Sequence, residues 1–201
     1  MKIQKTAWKW NKQLEKRSRT SYIVLHHSAA SVSSATDIDR WHKNNGYSGI
    51  GYHFVIRKNG EIYEGRPIDT VGAHCLGYNS NSVGICFEGN FEIEKPTDNQ
   101  IKSGYELINY IKGIYPNAEI KGHRDLYATA CPGKNFNING ILNYAEANQM
   151  KEITSVNDIV WELASRGIIT DKALWLTKLE EDKNVYWLCK KTIDCLIKKG
   201  V

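Results

Sequence analysis

The sequence has no run of about 18 apolar residues, so no segment is expected to cross a bilayer as a helix. It has little apolar character at its start either. The first ten residues read Met1-Lys-Ile-Gln-Lys-Thr-Ala-Trp-Lys-Trp10, and charge interrupts every apolar step. That excludes a signal peptide with an apolar centre, so the protein is expected to accumulate in the cytoplasm unless something else releases it. Five cysteines, at positions 75, 86, 131, 189 and 195, are an odd number. Without an export signal they read as reduced thiols and not as a disulfide framework. There is no internal repeat and no low-complexity tract.

What is present is ordinary for a globular chain. Of the 201 residues 41% are hydrophobic and 24% charged, enough to bury a core without disulfide staples. The length lies between one large domain and two small ones. The net charge of +5 is unevenly placed. Seven Lys/Arg against one Glu fall in the first twenty residues, which leaves the remainder close to neutral. This basic arm, 1–20, reads as a solvated terminal segment. The alternative is contact with an anionic polymer.

Tyr22-Ile-Val-Leu-His26 is β-branched and apolar, a strand buried on both faces. A helix is expected over Ala35 to Asn44, capped by Ser34 or Thr36 and ended by Asn45-Gly46. Tyr52-His-Phe-Val-Ile56 and Glu61-Ile-Tyr-Glu64 flank Asn59-Gly60, a hairpin signal because both residues tolerate positive φ. Ser82 to Glu88 alternates as a strand, with Val83, Ile85 and Phe87 on one face. Thr97 and Gln100 fit a capping box. Ile101, Tyr105, Ile108, Ile111 and Tyr115 follow at helical spacing until Pro116. Ala118 to Lys121 reads as a short strand leading into His123, and Ile138 to Asn148 as a last helix.

Near residue 150 the texture changes. Residues 155–201 carry three helix-like stretches and no strand. Their apolar stripes are Val156, Ile159, Val160 and Leu163; Leu174, Trp175 and Leu179; and Val185, Leu188, Cys189, Thr192 and Leu196. A small three-helix bundle is feasible there. Of Trp161, Trp175 and Trp187, at least two are expected in its core.

His123 and Cys131 stand close in sequence, and His26 ends the buried strand. Imidazole and thiolate are ligands that zinc prefers, and three protein ligands leave a fourth tetrahedral position open. Spacing alone leaves His123 open as a satisfied surface histidine and Cys131 as a small buried residue.

Five blocks occur in order: Val24-Leu-His-His-Ser28, Gly51-Tyr-His-Phe54, Gly72-Ala-His-Cys-Leu-Gly-Tyr-Asn79, Ser82-Val-Gly84, and Gly122-His-Arg-Asp125 continuing through Thr129-Ala-Cys-Pro-Gly133. Together they resemble the zinc-dependent N-acetylmuramoyl-L-alanine amidase family, shared by phage endolysins, bacterial autolysins and animal peptidoglycan recognition proteins. The resemblance runs from about Ser21 to Asn143.

It implies an α/β fold, with a mixed central sheet of about five strands flanked by helices; the helical stretches after residue 150 add a small all-α C-terminal domain. Set beside that change of texture, the resemblance gives a catalytic domain at 1–150 and leaves 155–201 as a helical domain expected to bind the wall. It implies one catalytic zinc ion on His26, His123 and Cys131. Tyr52 and Thr129 would act on the oxyanion, Thr129 standing where some phage members have lysine. His42, His74 and Asn79 would line the substrate groove, while His27 and His53 would be structural. The implied reaction is hydrolysis of the amide between N-acetylmuramic acid and L-alanine. The implied partners are bacterial peptidoglycan and anionic wall polymers, with no nucleic acid. A lysin of this kind is made in the host cytoplasm and acts on the wall after release. The competing reading is a non-catalytic peptidoglycan-binding protein, against which stand Cys131 and Tyr52.

Overall fold

The computed structural model describes residues 1–145 and 156–199, and its first element lies in the basic arm, where Ile3–Gln4 form β1. There follow β2 (Tyr22–His27), α1 (Ala35–Asn44), β3 (Phe54–Ile56), β4 (Ile62–Glu64), β5 (Ser82–Phe87), α2 (Asp98–Ile114), β6 (Glu119–Gly122) and α3 (Ile138–Leu142). All six strands join one sheet in the order β1-β4-β3-β5-β2-β6. Every neighbouring pair is parallel except the β3–β4 hairpin. The sheet therefore has one strand more than the five expected.

The sixth strand corrects the reading of the arm as solvated. β1 pairs with β4 at the sheet edge, and Trp8 Nε1 donates to the Glu64 carbonyl at 2.8 Å. Arg17 then clamps the arm down. It donates to the carbonyls of Thr70 and Ile68, each at 2.6 Å, and to Thr20 Oγ1. Lys2, Lys5, Lys9 and Lys12 stay exposed, so the arm is ordered by its aromatic and backbone groups and leaves a basic side facing solvent.

The sheet separates two apolar layers. Ile23, Leu25, Phe54, Ile85 and Phe87 pack with Leu107, Ile108 and Ile111 of α2 and Ile141 of α3. On the other face Val55 and Cys86 pack with Ala35 and Ile38 of α1, with Trp8 and Trp10 of the arm beside them. Both helices begin as their sequences specify. Ser34, not Thr36, caps α1, and Thr97 with Gln100 forms the capping box of α2. The hairpin differs in detail. Gly60 has φ +87°, whereas Asn59 does not take positive φ. Gly60 N–H donates to Arg57 C=O and Arg57 N–H to Glu61 C=O, so a single left-handed residue closes a longer loop.

Met1–Leu142 forms one unit and Asn143–Val201 another. In the second, α4 (Val156–Ser165), α5 (Lys172–Glu181) and α6 (Lys183–Lys199) pack together. The expected stripe of α4 is the buried one: Ile159, Val160 and Leu163, with Gly167 at φ +68° just past its end. Two other stripes are corrected. Leu174 is exposed, and α5 buries Leu179 with Trp175 and Leu176 alongside. Leu188 is exposed as well, and α6 turns Val185, Tyr186, Cys189 and Ile193 inward. Helical spacing permits two adjacent apolar faces here, and only packing chooses between them. Trp161 and Trp187 are 63% and 58% exposed, so one tryptophan of the three, Trp175, joins the core. The side chain of Leu196 and residues 146–148 of the expected 138–148 helix lie outside what the structure describes.

Candidate metal centre

Register brings the first two candidate ligands together. β2 and β6 run parallel with Leu25 opposite Gly122, so the next residue on each chain, His26 and His123, meet with ring centroids 4.5 Å apart. Cys131 returns to them on a stapled loop. Arg124 N–H donates to the Cys131 carbonyl at 2.8 Å, Arg124 Nη2 to the Gly133 carbonyl at 3.0 Å, and Asp125 Oδ2 accepts from Gly122 N–H at 2.7 Å. The Gly-His-Arg-Asp block thus supplies one ligand, an arginine that holds the ligand loop and an aspartate that fixes the turn at His123.

One ligand atom from each of His26, His123 and Cys131 lies within 4.8 Å of the others, and among the described residues no other such group occurs. His26 Nδ1 is 3.7 Å from Cys131 Sγ. His123 Nε2 is buried and makes no hydrogen bond. A buried imidazole nitrogen without a partner, beside a second imidazole and a thiol, fits a zinc-type donor set.

Burial dominates the electrostatics. It pushes His26 well below the ordinary histidine value, with His123, His27 and His42 adding to the effect, and it lowers His123 too. Both rings are therefore neutral at pH 7, as metal ligands must be. Burial pushes the Cys131 thiol up to about 11, although a hydrogen bond from the His27 backbone and the charge of Arg124 oppose this.

The centre opens into a cleft of about 410 Å³ lined by His42, Tyr52, His74, Asn79 and His123, with Tyr47, Leu76 and Tyr127 at its exposed edges. A slightly larger cleft, about 460 Å³ beside Met1, Asn59 and Asn99, has no comparable donor set. Tyr52 packs its ring 5.1 Å from His26. Burial, then the neighbouring Cys86 and Cys131, raises its hydroxyl well above the usual tyrosine value, so it remains a proton donor. Thr129 Oγ1 accepts from Cys131 N–H at 3.2 Å. His42 Nδ1 accepts from Gly51 N–H at 2.8 Å, which places the neutral ring's proton on Nε2.

Asn79 both lines the cleft and builds its wall, since Oδ1 accepts from the N–H groups of His74 and Cys75. His74 Nδ1 lies 3.0 Å from His26 Nε2. His27 and His53 are core groups: His27 Nδ1 accepts from Phe91 N–H, and His53 bridges Gly84 N–H and the Thr70 carbonyl. Sequence reasoning missed Tyr47, Leu76 and Tyr127. Exposed aromatic and apolar residues carry no signal until the fold gathers them around one opening.

The family model described as N-acetylmuramoyl-L-alanine amidase matches residues 16–134. The endolysin of Enterobacteria phage K11 is 38% identical over 128 residues, spanning 60% of this chain and 85% of its own. The peptidoglycan-recognition protein SC2 of Drosophila melanogaster is 33% identical over 149 residues, 67% of this chain and 81% of its own. Among solved structures, the endolysin N-acetylmuramoyl-L-alanine amidase LysCS from Clostridium intestinale superposes with a TM-score of 0.69 at 40% identity, covering 73% of this chain and 95% of that one.

Proposed function

The chain belongs to the N-acetylmuramoyl-L-alanine amidase family, and from that premise we propose that it is a zinc-dependent endolysin. Its substrate is the amide joining N-acetylmuramic acid to L-alanine in bacterial peptidoglycan. The observation that carries this reading is the His26–His123–Cys131 group, whose His123 lines an open cleft. Similarity to phage endolysins over most of their length favours lysis of a host cell over recognition alone.

His26, His123 and Cys131 would hold the ion. When bound there, zinc supplies Lewis acidity at the scissile carbonyl and an activated water. The protein's own groups do the rest. Tyr52 keeps its proton and donates it in a hydrogen bond to the developing oxyanion. Thr129 accepts from Cys131 N–H through its oxygen, which leaves its hydroxyl proton for the same carbonyl. His42 directs Nε2–H into the cleft toward a glycopeptide acceptor, and Asn79 holds the wall that receives the stem. The helical unit anchors the enzyme to the wall, and the exposed lysines of the arm add attraction for anionic wall polymers. The protein reaches its substrate from the host cytoplasm after release. No helix among the described residues is long and apolar enough to cross a membrane.

Digestion of purified sacculi followed by mass spectrometry tests the reaction. We expect new free N-terminal alanine with intact glycan strands, lost on chelation and restored by zinc. New reducing sugar ends without free alanine would refute it.

A further inference from the structure

His74 lines the cleft, and the shortest polar contact of its ring is with a candidate metal ligand. Its Nδ1 lies 3.0 Å from His26 Nε2. Its Nε2 lies 3.5 Å from Ser82 Oγ, and Ser82 Oγ donates to the Tyr78 carbonyl at 2.6 Å. One proton order satisfies all three contacts of this chain. A carbonyl has no proton to give, so Ser82 spends its own on Tyr78. Ser82 Oγ can then only accept, and what it accepts is His74 Nε2–H. That leaves His74 Nδ1 bare, so it accepts from His26 Nε2–H. His26 Nδ1 is then the nitrogen with the free lone pair, and it is the one that faces Cys131. Ser82, His26 and His74 are 0%, 1% and 9% exposed, which keeps solvent from imposing another order.

The slot that holds the His74 ring is made by two glycines. A Cβ on Gly72 would come within 2.5 Å of the ring, and one on Gly84 within 2.6 Å. Gly84 shares a sheet face with Ser82 and Cys86, one strand over from His26. Asn79 Oδ1 fixes the backbone of the same residue at 2.7 Å. Four residues of the sequence blocks, Gly72, Asn79, Ser82 and Gly84, thus converge on His74, three of them on its ring.

We propose that His74 is a positioning residue for His26: anchored through Ser82 on the Tyr78 carbonyl, it fixes the tautomer and ring angle that present His26 Nδ1 to a metal ion. This rests on the assignment of His26 as a metal ligand. It gives His74, a residue of the cleft wall, a second role in supporting the centre.

Two measurements test it. Long-range proton–nitrogen NMR of the metal-free protein should show His26 as a single Nε2–H tautomer. Zinc affinity by chelator competition should fall about 10- to 100-fold in His74→Phe, recover in His74→Asn, which keeps an acceptor, and fall less in Ser82→Ala. The Ser82 variant removes one buried oxygen and guards against a misfolded His74→Phe. The proposal is overturned if wild-type His26 carries its proton on Nδ1 or on both nitrogens in exchange. It is equally overturned if His74→Phe and Ser82→Ala hold zinc like wild type and only KM rises. A wild-type protein that takes up no zinc would remove the metal reading, while the tautomer would still decide whether the relay exists.

Discussion

His26 and Cys131 are 105 residues apart in sequence and 3.7 Å apart in space, Nδ1 to Sγ. They arrive in opposite readiness for a metal. Burial already holds the imidazole neutral, whereas it lifts the thiol to about 11, so the thiol must lose a proton to coordinate. Zinc binding therefore competes with one proton. Between pH 6 and 7 the logarithm of the affinity should rise by about one per pH unit. Ordinary histidines would bring that slope to about two, because both ligands would then titrate in the same interval. A competition assay across this interval separates the two, and a slope of about two would contradict the buried neutral pair. Cys131→Ala should lose zinc and lytic activity together.

Much of this centre was legible in the sequence because its parts are local. A capping box, an alternating strand or a Gly-His-Arg-Asp block occupies a few adjacent residues. The rest depended on pairing across the fold. Nothing near Ile3 announces that it will extend the sheet edge beyond Ile62, because a two-residue strand has no period. His74 reads as a cleft residue, and it does line the cleft, but its contact with His26 follows only from the fold that sets Gly84 against its ring. In the helical unit, Leu188 and Tyr186 are both compatible with helical spacing, and contact with the other two helices decided which was buried.

Glu88 ties two segments of the sheet unit together. Its carboxylate accepts from Ser33 N–H, Lys58 N–H and Arg57 Nε at 2.9, 2.9 and 2.7 Å. Burial alone would raise its pKa, but these donors reverse that and hold it below the usual carboxylate range. A depressed folded value stabilises above the unfolded one, and that stability is lost as pH falls through it. Glu88→Ala leaves two backbone donors and a partly exposed guanidinium without their acceptor. It should cost about 3 kcal/mol in urea unfolding at pH 7. A cost below about 1 kcal/mol would mean that water replaces the carboxylate freely.

His53 makes a separate acid sensitivity. Burial, opposed by the hydrogen bond to Thr70, pulls it down to about 3. Between that value and the ordinary histidine range the unfolded chain holds a proton that the folded chain refuses. Stability is therefore complete above about pH 6.5 and falls as the medium is acidified. In metal-free protein, His53→Gln should flatten the pH dependence between pH 4 and 6 by about 1.4 kcal/mol per unit. It should cost about 1 to 2 kcal/mol at pH 7, where Gly84 N–H needs a new acceptor. Parallel stability curves for the two proteins would show that His53 is charged in the folded state.

The tryptophans of the helical unit divide by exposure, and their substitutions should divide the same way. Trp175 packs against the core of Ile159, Leu163 and Ile193, so Trp175→Ala should destabilise that unit by about 2 to 3 kcal/mol. Trp161 and Trp187 are exposed and lie under lysines, Lys172 Nζ at 3.4 Å and Lys191 Nζ at 4.2 Å from their ring centroids. Such exposed pairs contribute at most about 1 kcal/mol, so neither ring is needed for folding. If the unit anchors the enzyme to the wall, exposed rings of this kind are available to stack on sugar faces. Trp161→Ala with Trp187→Ala should then leave the circular dichroism melt within a few degrees of wild type while lowering co-sedimentation with sacculi several-fold. Cleavage of a small soluble muropeptide, which needs only the metal cleft, should be unchanged. Full retention on sacculi by the doubly substituted protein would place wall attachment elsewhere, and the exposed lysines of the N-terminal arm would be the next surface to alter.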